Sequence, residues 1–286
     1  MEKLRLILPG EIDKLTARSN YKRGDYEDER GILMCGICHT PKEIDGRLFS
    51  DKVQRLGVMC DCEQALENMQ AAERSNKMRL EIIESQRCEA IPDPECRHWT
   101  FENDDKRNPE ITTACQKYVE QWQQMRQENV WLLFYGGVGT GKSFYACCIA
   151  NALIDEGVSV LVTNFPRILH TLQTAGYGED KNKIVTDMQR YSLVVIDDLG
   201  VERSTDYGME QVYYVIDERY KSGKPLIVTT NLSPAEFKNP GNMRYERIYN
   251  RIYENSTRVK VKGESRRVEM GNQKHKKYQE FLGFPE

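Results

Sequence analysis

The sequence predicts an α/β fold, a central parallel sheet flanked by helices, preceded by a small N-terminal module of different character. Three observations carry this expectation. Short apolar runs at residues 130–135, 159–163, 193–196 and 226–230 alternate with stretches of helical character, the pattern of strands covered on both faces by crossover helices. A glycine-rich segment, Gly136 to Ser143, stands where the first run gives way to a helix. Two close cysteine pairs, Cys35/Cys38 and Cys60/Cys62, lie upstream in a segment poor in apolar residues.

The elements follow in order. A weakly apolar start (Leu4, Leu6, Ile7, Leu8) ends at Pro9-Gly10, and the cysteine pairs come next. Residues 63–89 read as one polar helix, rich in Glu, Gln, Ala, Met and Arg and free of Gly and Pro. Ile91-Pro92-Asp93-Pro94 stops it, because two prolines remove donors and push their predecessors out of the helical region. A helix over 109–127 leads into the apolar run Val130 to Tyr135. Helices over 142–155, 166–174, 182–190 and 207–221 then alternate with the remaining strands. The last part, 244–269, reads as an Arg- and Tyr-rich helix followed by a short alternating strand, Arg258 to Lys262. The expected organisation is an N-terminal domain over 1–89, a linker over 90–112, an α/β domain over 113–270 and a tail over 271–286.

Composition sets the bounds. The 286 residues leave room for one full α/β domain plus a smaller module. A hydrophobic share of 39% suffices for a core, and 30% charged residues suits a wet surface. The formal charge of −3 gives no global attraction to nucleic acid, so any such contact must come from a local patch. No run approaches the ~18 apolar residues of a membrane span, and Met1-Glu2-Lys3-Leu4 opens no secretory signal. The cytoplasm is therefore expected, with the nine cysteines as thiols or metal ligands rather than disulfides.

Gly136-Gly137-Val138-Gly139-Thr140-Gly141-Lys142-Ser143 matches the P-loop pattern, with Phe144 next, a strand before and a helix after. Glycines let the loop curl so that backbone N–H groups converge on phosphate oxygens, and the helix N-terminus faces the same charge. Lys142 is expected on the β- and γ-phosphates of ATP, and the Ser143 hydroxyl on Mg²⁺. Leu193 to Ile196 ends in Asp197-Asp198, which places two carboxylates at the sheet's C-terminal edge on a strand expected beside the P-loop strand. Asp197 suits the Mg²⁺ shell, and Asp198 can polarise the attacking water. Leu226 to Thr230 ends in Asn231, whose amide can hold the water or the γ-phosphate, or else cap a turn before Ser233-Pro234.

Cys35-x-x-Cys38 and Cys60-x-Cys62 supply four thiolates in two tight pairs, enough to close a structural Zn²⁺ site. The metal then gives folding energy to a segment without a core. His39 is a possible substitute ligand. Cys35-Gly-Ile-Cys38-His39 also spells a haem attachment signal, whose chemistry needs export, and a redox dithiol is a further rival lacking the thioredoxin-like strand pattern. Cys147 and Cys148, in the helix behind the P-loop, read as small core residues.

With these pieces in order, residues 91–270 resemble the AAA+ ATPases, and within them the DnaC/DnaI helicase loaders with the related IstB transposition helpers. The carriers are the P-loop itself, Val195 to Gly200, Val228 to Leu232, Glu246-Arg247-Ile-Tyr-Asn-Arg251, and Gly263-Glu-Ser-Arg-Arg267. The resemblance implies a P-loop AAA+ domain in which Asn231 is the sensor-1 residue, Arg251 a finger reaching a neighbouring subunit's γ-phosphate, and Arg267 the sensor-2 arginine. It also implies self-association into a ring or spiral. Asp198 stands where many AAA+ enzymes have Glu, and Arg266 where loaders tend to have Tyr. Loaders of the DnaI kind carry an N-terminal zinc module that contacts the helicase, so the resemblance implies a DnaB-type replicative helicase as partner. Between Arg244 and Lys277, Lys and Arg outnumber Glu eleven to four, with Tyr245, Tyr249, Tyr253 and Tyr278 interleaved nearby. Positive charge follows phosphates and rings stack on bases, so single-stranded DNA is an expected ligand. A transposition helper, and an ATP-switched adaptor that does not hydrolyse, are the alternatives.

Overall fold

The computed structural model describes residues 21–47, 53–174, 179–200, 206–238 and 243–283. The apolar start at Leu4 to Leu8 lies outside the described residues, as does the Arg244 side chain. The chain divides between Glu81 and Ile82 into two compact units.

In the first unit β1 (Tyr26–Glu27) pairs antiparallel with β2 (Leu33–Met34), and β3 (Glu43–Gly46) with β4 (Gln54–Gly57). Among the described residues before Asp61, the buried apolar side chains are Leu33, Cys35 and Cys60, too few for a core. Charge pairing fills part of the interior. Lys42 is 1% exposed, and its Nζ lies 2.9 Å from Asp25 and 3.3 Å from Glu63. Helix α1 (Asp61–Ala90) is polar around its circumference and ends directly before Ile91-Pro92, as the prolines require. The division between the units falls within it.

The second unit carries α2 (Pro109–Glu120), α3 (Trp122–Gln127), β5 (Trp131–Tyr135), α4 (Lys142–Asp155), β6 (Val160–Asn164), α5 (Phe165–Thr174) and α6 (Glu179–Met188). There follow β7 (Leu193–Leu199), α7 (Asp206–Lys221), β8 (Leu226–Thr230), α8 (Pro234–Lys238), α9 (Met243–Asn255), β9 (Ser256–Lys260) and α10 (Arg266–Leu282). The five strands form one sheet in the order β6-β7-β8-β5-β9, every neighbouring pair parallel. Alternate side chains of each strand go to opposite faces. Leu132, Phe134, Val195 and Ile227 pack with α2 and α4, while Leu133, Val194, Ile196 and Val228 pack with α5, α7 and α9. Two apolar layers therefore cover the sheet, which is why β5, β6, β7 and β8 read as apolar runs, while the edge strand β9, Ser-Thr-Arg-Val-Lys, does not.

The structure departs from expectation in four places. The helix expected over 109–127 breaks at Gln121 (φ −101°, ψ 24°) into α2 and α3. The break lets Trp122 bury itself against Tyr118, with ring centroids 6.1 Å apart. The last strand spans Ser256–Lys260, two residues ahead of the expected run, because its register against Trp131 to Tyr135 is set by pairing with β5. Residues from Arg266 onward form α10, capped by Ser265 and closed by Gly283 in the left-handed region. Finally, the strand bearing Asp197 and Asp198 is not adjacent to the P-loop strand, since β8 lies between them.

Candidate functional site

β5, β7 and β8 all run parallel, so their C-terminal ends share one edge of the sheet, and the chemistry-bearing residues emerge there. After β5 the P-loop curls into α4. Lys142 is 5% exposed, and its ammonium donates to Gly136 O at 3.1 Å, Gly137 O at 2.7 Å and Asn231 Oδ1 at 2.7 Å. That last bond joins the P-loop to the end of β8. The capping alternative for Asn231 is filled by another residue: Ser233 caps α8, with Glu236 Oε2 accepting from the Ser233 N–H at 2.7 Å.

The acids are aimed by a bulge. The β7–β8 ladder shifts register between Ile196 and Leu199, and Asp198 adopts φ +55°, a conformation that Asp tolerates better than most residues. The Thr229 hydroxyl donates to Asp197 Oδ1 at 2.5 Å and accepts from the Asp198 N–H at 2.9 Å. One hydroxyl on β8 thus fixes both acids on β7. Burial, then the Asp197 charge, pushes the Asp198 carboxyl above the ordinary carboxylate value. Burial lowers the Lys142 ammonium, opposed by the charges of Asp198 and Asp197.

These groups open on a cavity of about 490 Å³, within the range of small-molecule sites. Val138, Gly139, Gly141, Lys142, Ser143 and Phe144 line it with Asp198, Asn231, Arg266 and Arg267. Trp99 and Phe144, with ring centroids 5.9 Å apart, form an aromatic wall, and Asp93 and Glu95 stand nearby. The Ser143 hydroxyl lines the cavity, whereas Asp197, the residue before Asp198, is not in the lining and accepts from Thr229 through Oδ1; both are hard oxygen donors of the kind Mg²⁺ takes. The donor set suits a magnesium nucleotide. The described lining does not include Arg251. Its guanidinium lies on α9, 2.7 Å from Asp217 and 2.9 Å from the Tyr213 hydroxyl, with 27% of the side chain exposed.

Sequence reasoning did not single out Thr229, Trp99 or Asp105. Thr229 stands within the quoted Val228 to Leu232 run and precedes Asn231 by one strand period, a signal that could have marked it. Trp99 and Asp105 come from the irregular segment before α2 and carry no motif.

In the first unit the Sγ atoms of Cys35, Cys38, Cys60 and Cys62 all lie within 4.8 Å of one another. Zn–S bonds of ~2.3 Å in a tetrahedron set sulfurs about 3.8 Å apart, so the cluster fits zinc. The Thr40 hydroxyl and backbone N–H groups lower the Cys38 thiol to about 5, while crowding by Cys60 and Cys35 raises Cys62 to about 12. Four sulfurs this close resist ionising together without a cation among them. His39 is not in the cluster; its Nδ1 lies 3.1 Å from the Tyr26 hydroxyl.

The basic C-terminal stretch is less open than its composition implies. Tyr249 is 4% exposed and packs on Phe237 at 4.5 Å and Tyr245 at 5.5 Å, so it cannot stack on a base. The Arg258 guanidinium covers the Tyr253 ring at 4.2 Å. Tyr278, by contrast, is 53% exposed on α10 beside Lys277. No helix among the described residues is long and apolar enough to cross a membrane.

A parallel sheet whose P-loop lysine, strand-end amide and second tandem acid, Asp198, meet at one cavity defines a P-loop nucleotide-binding protein of the AAA+ kind. Comparison with known sequences agrees. The chain belongs to the IstB-like ATP-binding protein family, whose sequence model matches residues 53–275. It is 24% identical over 245 residues to an ATP-binding protein of an insertion sequence in Mycobacterium tuberculosis, covering 83% of this chain and 91% of that one. It is 29% identical over 106 residues to the replicative helicase loader DnaC of Escherichia coli (strain K12), covering 36% of this chain and 43% of the loader. The match thus spans less than half of that relative. A crystal structure of DnaI superposes with a TM-score of 0.51 and 18% identity over 61% of this chain and 93% of that one, a likeness of fold.

Proposed function

We propose that this protein is an ATP hydrolase that loads a DnaB-type replicative helicase onto single-stranded DNA, with ATP binding and hydrolysis timing assembly and release. The observation that best supports it is the convergence on one cavity of Lys142 from the start of α4, Asp198 from β7 and Asn231 from just past β8. Gly136 to Phe144 cradle the phosphates, and Lys142 takes the β- and γ-oxygens. Ser143 and Asp197 would hold Mg²⁺, which when bound would supply positive charge against the phosphates. Asp198, raised by burial, accepts a proton from water as it attacks the γ-phosphorus. The bond to the β–γ bridging oxygen breaks, leaving ADP and phosphate. Asn231 orients the water, and Arg267 adds positive charge in the same subunit.

Arg251 serves the neighbouring subunit's nucleotide, which requires self-association into a ring or spiral. Asp217 and Tyr213 hold its guanidinium in a fixed place, a preorganised donor for charge that develops in the transition state. Cys35, Cys38, Cys60 and Cys62 hold zinc, and the domain they stabilise grips the helicase. Single-stranded DNA meets the exposed basic residues of α10, Lys274, Lys276 and Lys277, with Tyr278 as the stacking ring.

The insertion-sequence relative, matched over 91% of its length, favours a second reading, a helper that delivers a transposase to target DNA. Co-purification of the tagged chain with helicase or with transposase, in ATP and in ADP, separates the two. Phosphate release with and without single-stranded DNA, with Lys142→Ala as control, tests hydrolysis itself. No release under either condition would leave an ATP-switched adaptor instead of an enzyme.

A further inference from the structure

Two consecutive arginines begin α10, and only their surroundings tell them apart. Arg266 is already engaged. Its Nε lies 2.6 Å from Asp105 Oδ2 and its Nη2 lies 2.8 Å from Asp105 Oδ1, a two-pronged ion pair. Its backbone N–H donates to Gly139 O of the P-loop at 2.9 Å. Its guanidinium packs so closely on Gly141 that a Cβ there would stand 2.6 Å from Nη1.

The same segment before α2 makes two further ties. Arg107 Nη2 lies 2.7 Å from Glu269 Oε2, one turn along α10, and Arg107 Nε lies 3.2 Å from Asp105 Oδ2. The Asn108 amide donates to Lys262 O at 3.1 Å. Arg266, Asp105, Arg107 and Glu269 therefore form a chain of ion pairs, two positive and two negative groups in alternation. Arg267 lies outside it. It lines the nucleotide cavity, its charge is felt at Lys142 and at Asp198, and among the described residues none pairs with its guanidinium.

Neighbouring residues on a helix point roughly 100° apart, so fixing the direction of one fixes that of the next. We infer that Asp105 is a positioning residue for the nucleotide site. By occupying both prongs of Arg266 it seats the start of α10 on the P-loop and leaves Arg267 as the guanidinium presented to the phosphates. This rests on the ATP-hydrolase reading. A carboxylate is required because a neutral group could neither neutralise Arg266 nor bind its two edges together. Both arginines line the cavity, but Arg266 is neutralised there by Asp105; released from it, Arg266 becomes a second free cation at the same cavity.

The test is a double-mutant cycle on the full chain, read as ATP turnover and as binding of a fluorescent ATP analogue. In the wild-type background Arg267→Ala lowers kcat about 100-fold, as loss of one charge-stabilising donor does. In the Asp105→Ala background the same change costs under about threefold, because the freed Arg266 substitutes for it. Asp105→Glu restores the large Arg267 penalty, while Asp105→Asn, which keeps the shape without the charge, behaves like Asp105→Ala and covers the case in which alanine disturbs folding. Equal Arg267 penalties in all backgrounds, with normal analogue binding, would overturn the role of Asp105 alone. Failure of the wild type to bind the analogue would overturn the nucleotide reading and this inference with it.

Discussion

Replacing Gly136 by alanine puts the geometry of the loop to a quantitative test, because Gly137 next door supplies the control. Gly136 has φ +150°, and a Cβ on it would stand 2.3 Å from Val261 O. That oxygen is backbone, and its residue is pinned, since the Val261 N–H donates to Tyr135 O at 2.9 Å. A side chain in this region of φ costs about 1–3 kcal/mol, and forcing apart a packed contact adds about 1–3 kcal/mol. The expected loss is therefore about 4 kcal/mol. At Gly137 the added methyl would meet only Thr140 Cγ2 at 3.5 Å, and the backbone there needs no positive φ. Gly137→Ala should change stability by under about 1 kcal/mol, with unfolded-state entropy favouring the variant. The two variants, identical in composition, should differ by roughly a thousandfold in their folding constants. Urea unfolding followed by tryptophan fluorescence measures this, and the three tryptophans, Trp99, Trp122 and Trp131, all lie in the second unit. Coincident unfolding midpoints for the two variants would refute the reasoning.

Asp198→Asn should lower ATP turnover by about 100-fold or more while leaving nucleotide binding in place. Because the working form is the carboxylate and its folded pKa is raised above 3.8, wild-type turnover should fall as pH drops through that raised value; an acid limb at or below 3.8 contradicts the assignment. Cys38→Ser and Cys60→Ser should each take bound zinc, measured by atomic absorption, from near one per chain to a small fraction, with loss of cooperative folding in the first unit; wild-type protein purified free of zinc and stably folded there would count against the site. Tyr249→Ala should cost about 3–5 kcal/mol of stability, as for other large buried rings. Tyr278→Ala should leave stability unchanged and weaken single-stranded DNA binding by about 1–3 kcal/mol; the opposite pattern would move the DNA contact onto α9.

The strands and the P-loop were legible because their signals are local. Trp131 to Tyr135 is buried on both faces and so reads as one apolar run, and the glycine spacing that follows has few other uses. Strand order was not legible. Parallel neighbours such as β5 and β8 are far apart in sequence and share no turn, so nothing in Leu226 to Thr230 says which strand it joins. The cysteine cluster was readable from its spacing, although the exclusion of His39 follows from its bond to Tyr26. Tyr245, Tyr249 and Tyr253 carry the composition of a stacking surface, yet Ile248 and Ile252 on the same helix turn Tyr249 toward the core. Nor could the sequence pair Asp105 with Arg266, which sit 161 residues apart.

The Thr229 hydroxyl holds both acids, and two residues further on, just past the strand's end, Asn231 holds the lysine. β8 therefore works as a shared tie-rod between the P-loop and the bulge on β7. A shift of that strand along its axis detunes the amide and the carboxylates together, never one alone. Mechanical load applied at the C-terminal end of β8, the central strand, from whatever α8 and α9 come to bear against, would register at the amide and both carboxylates in a single displacement.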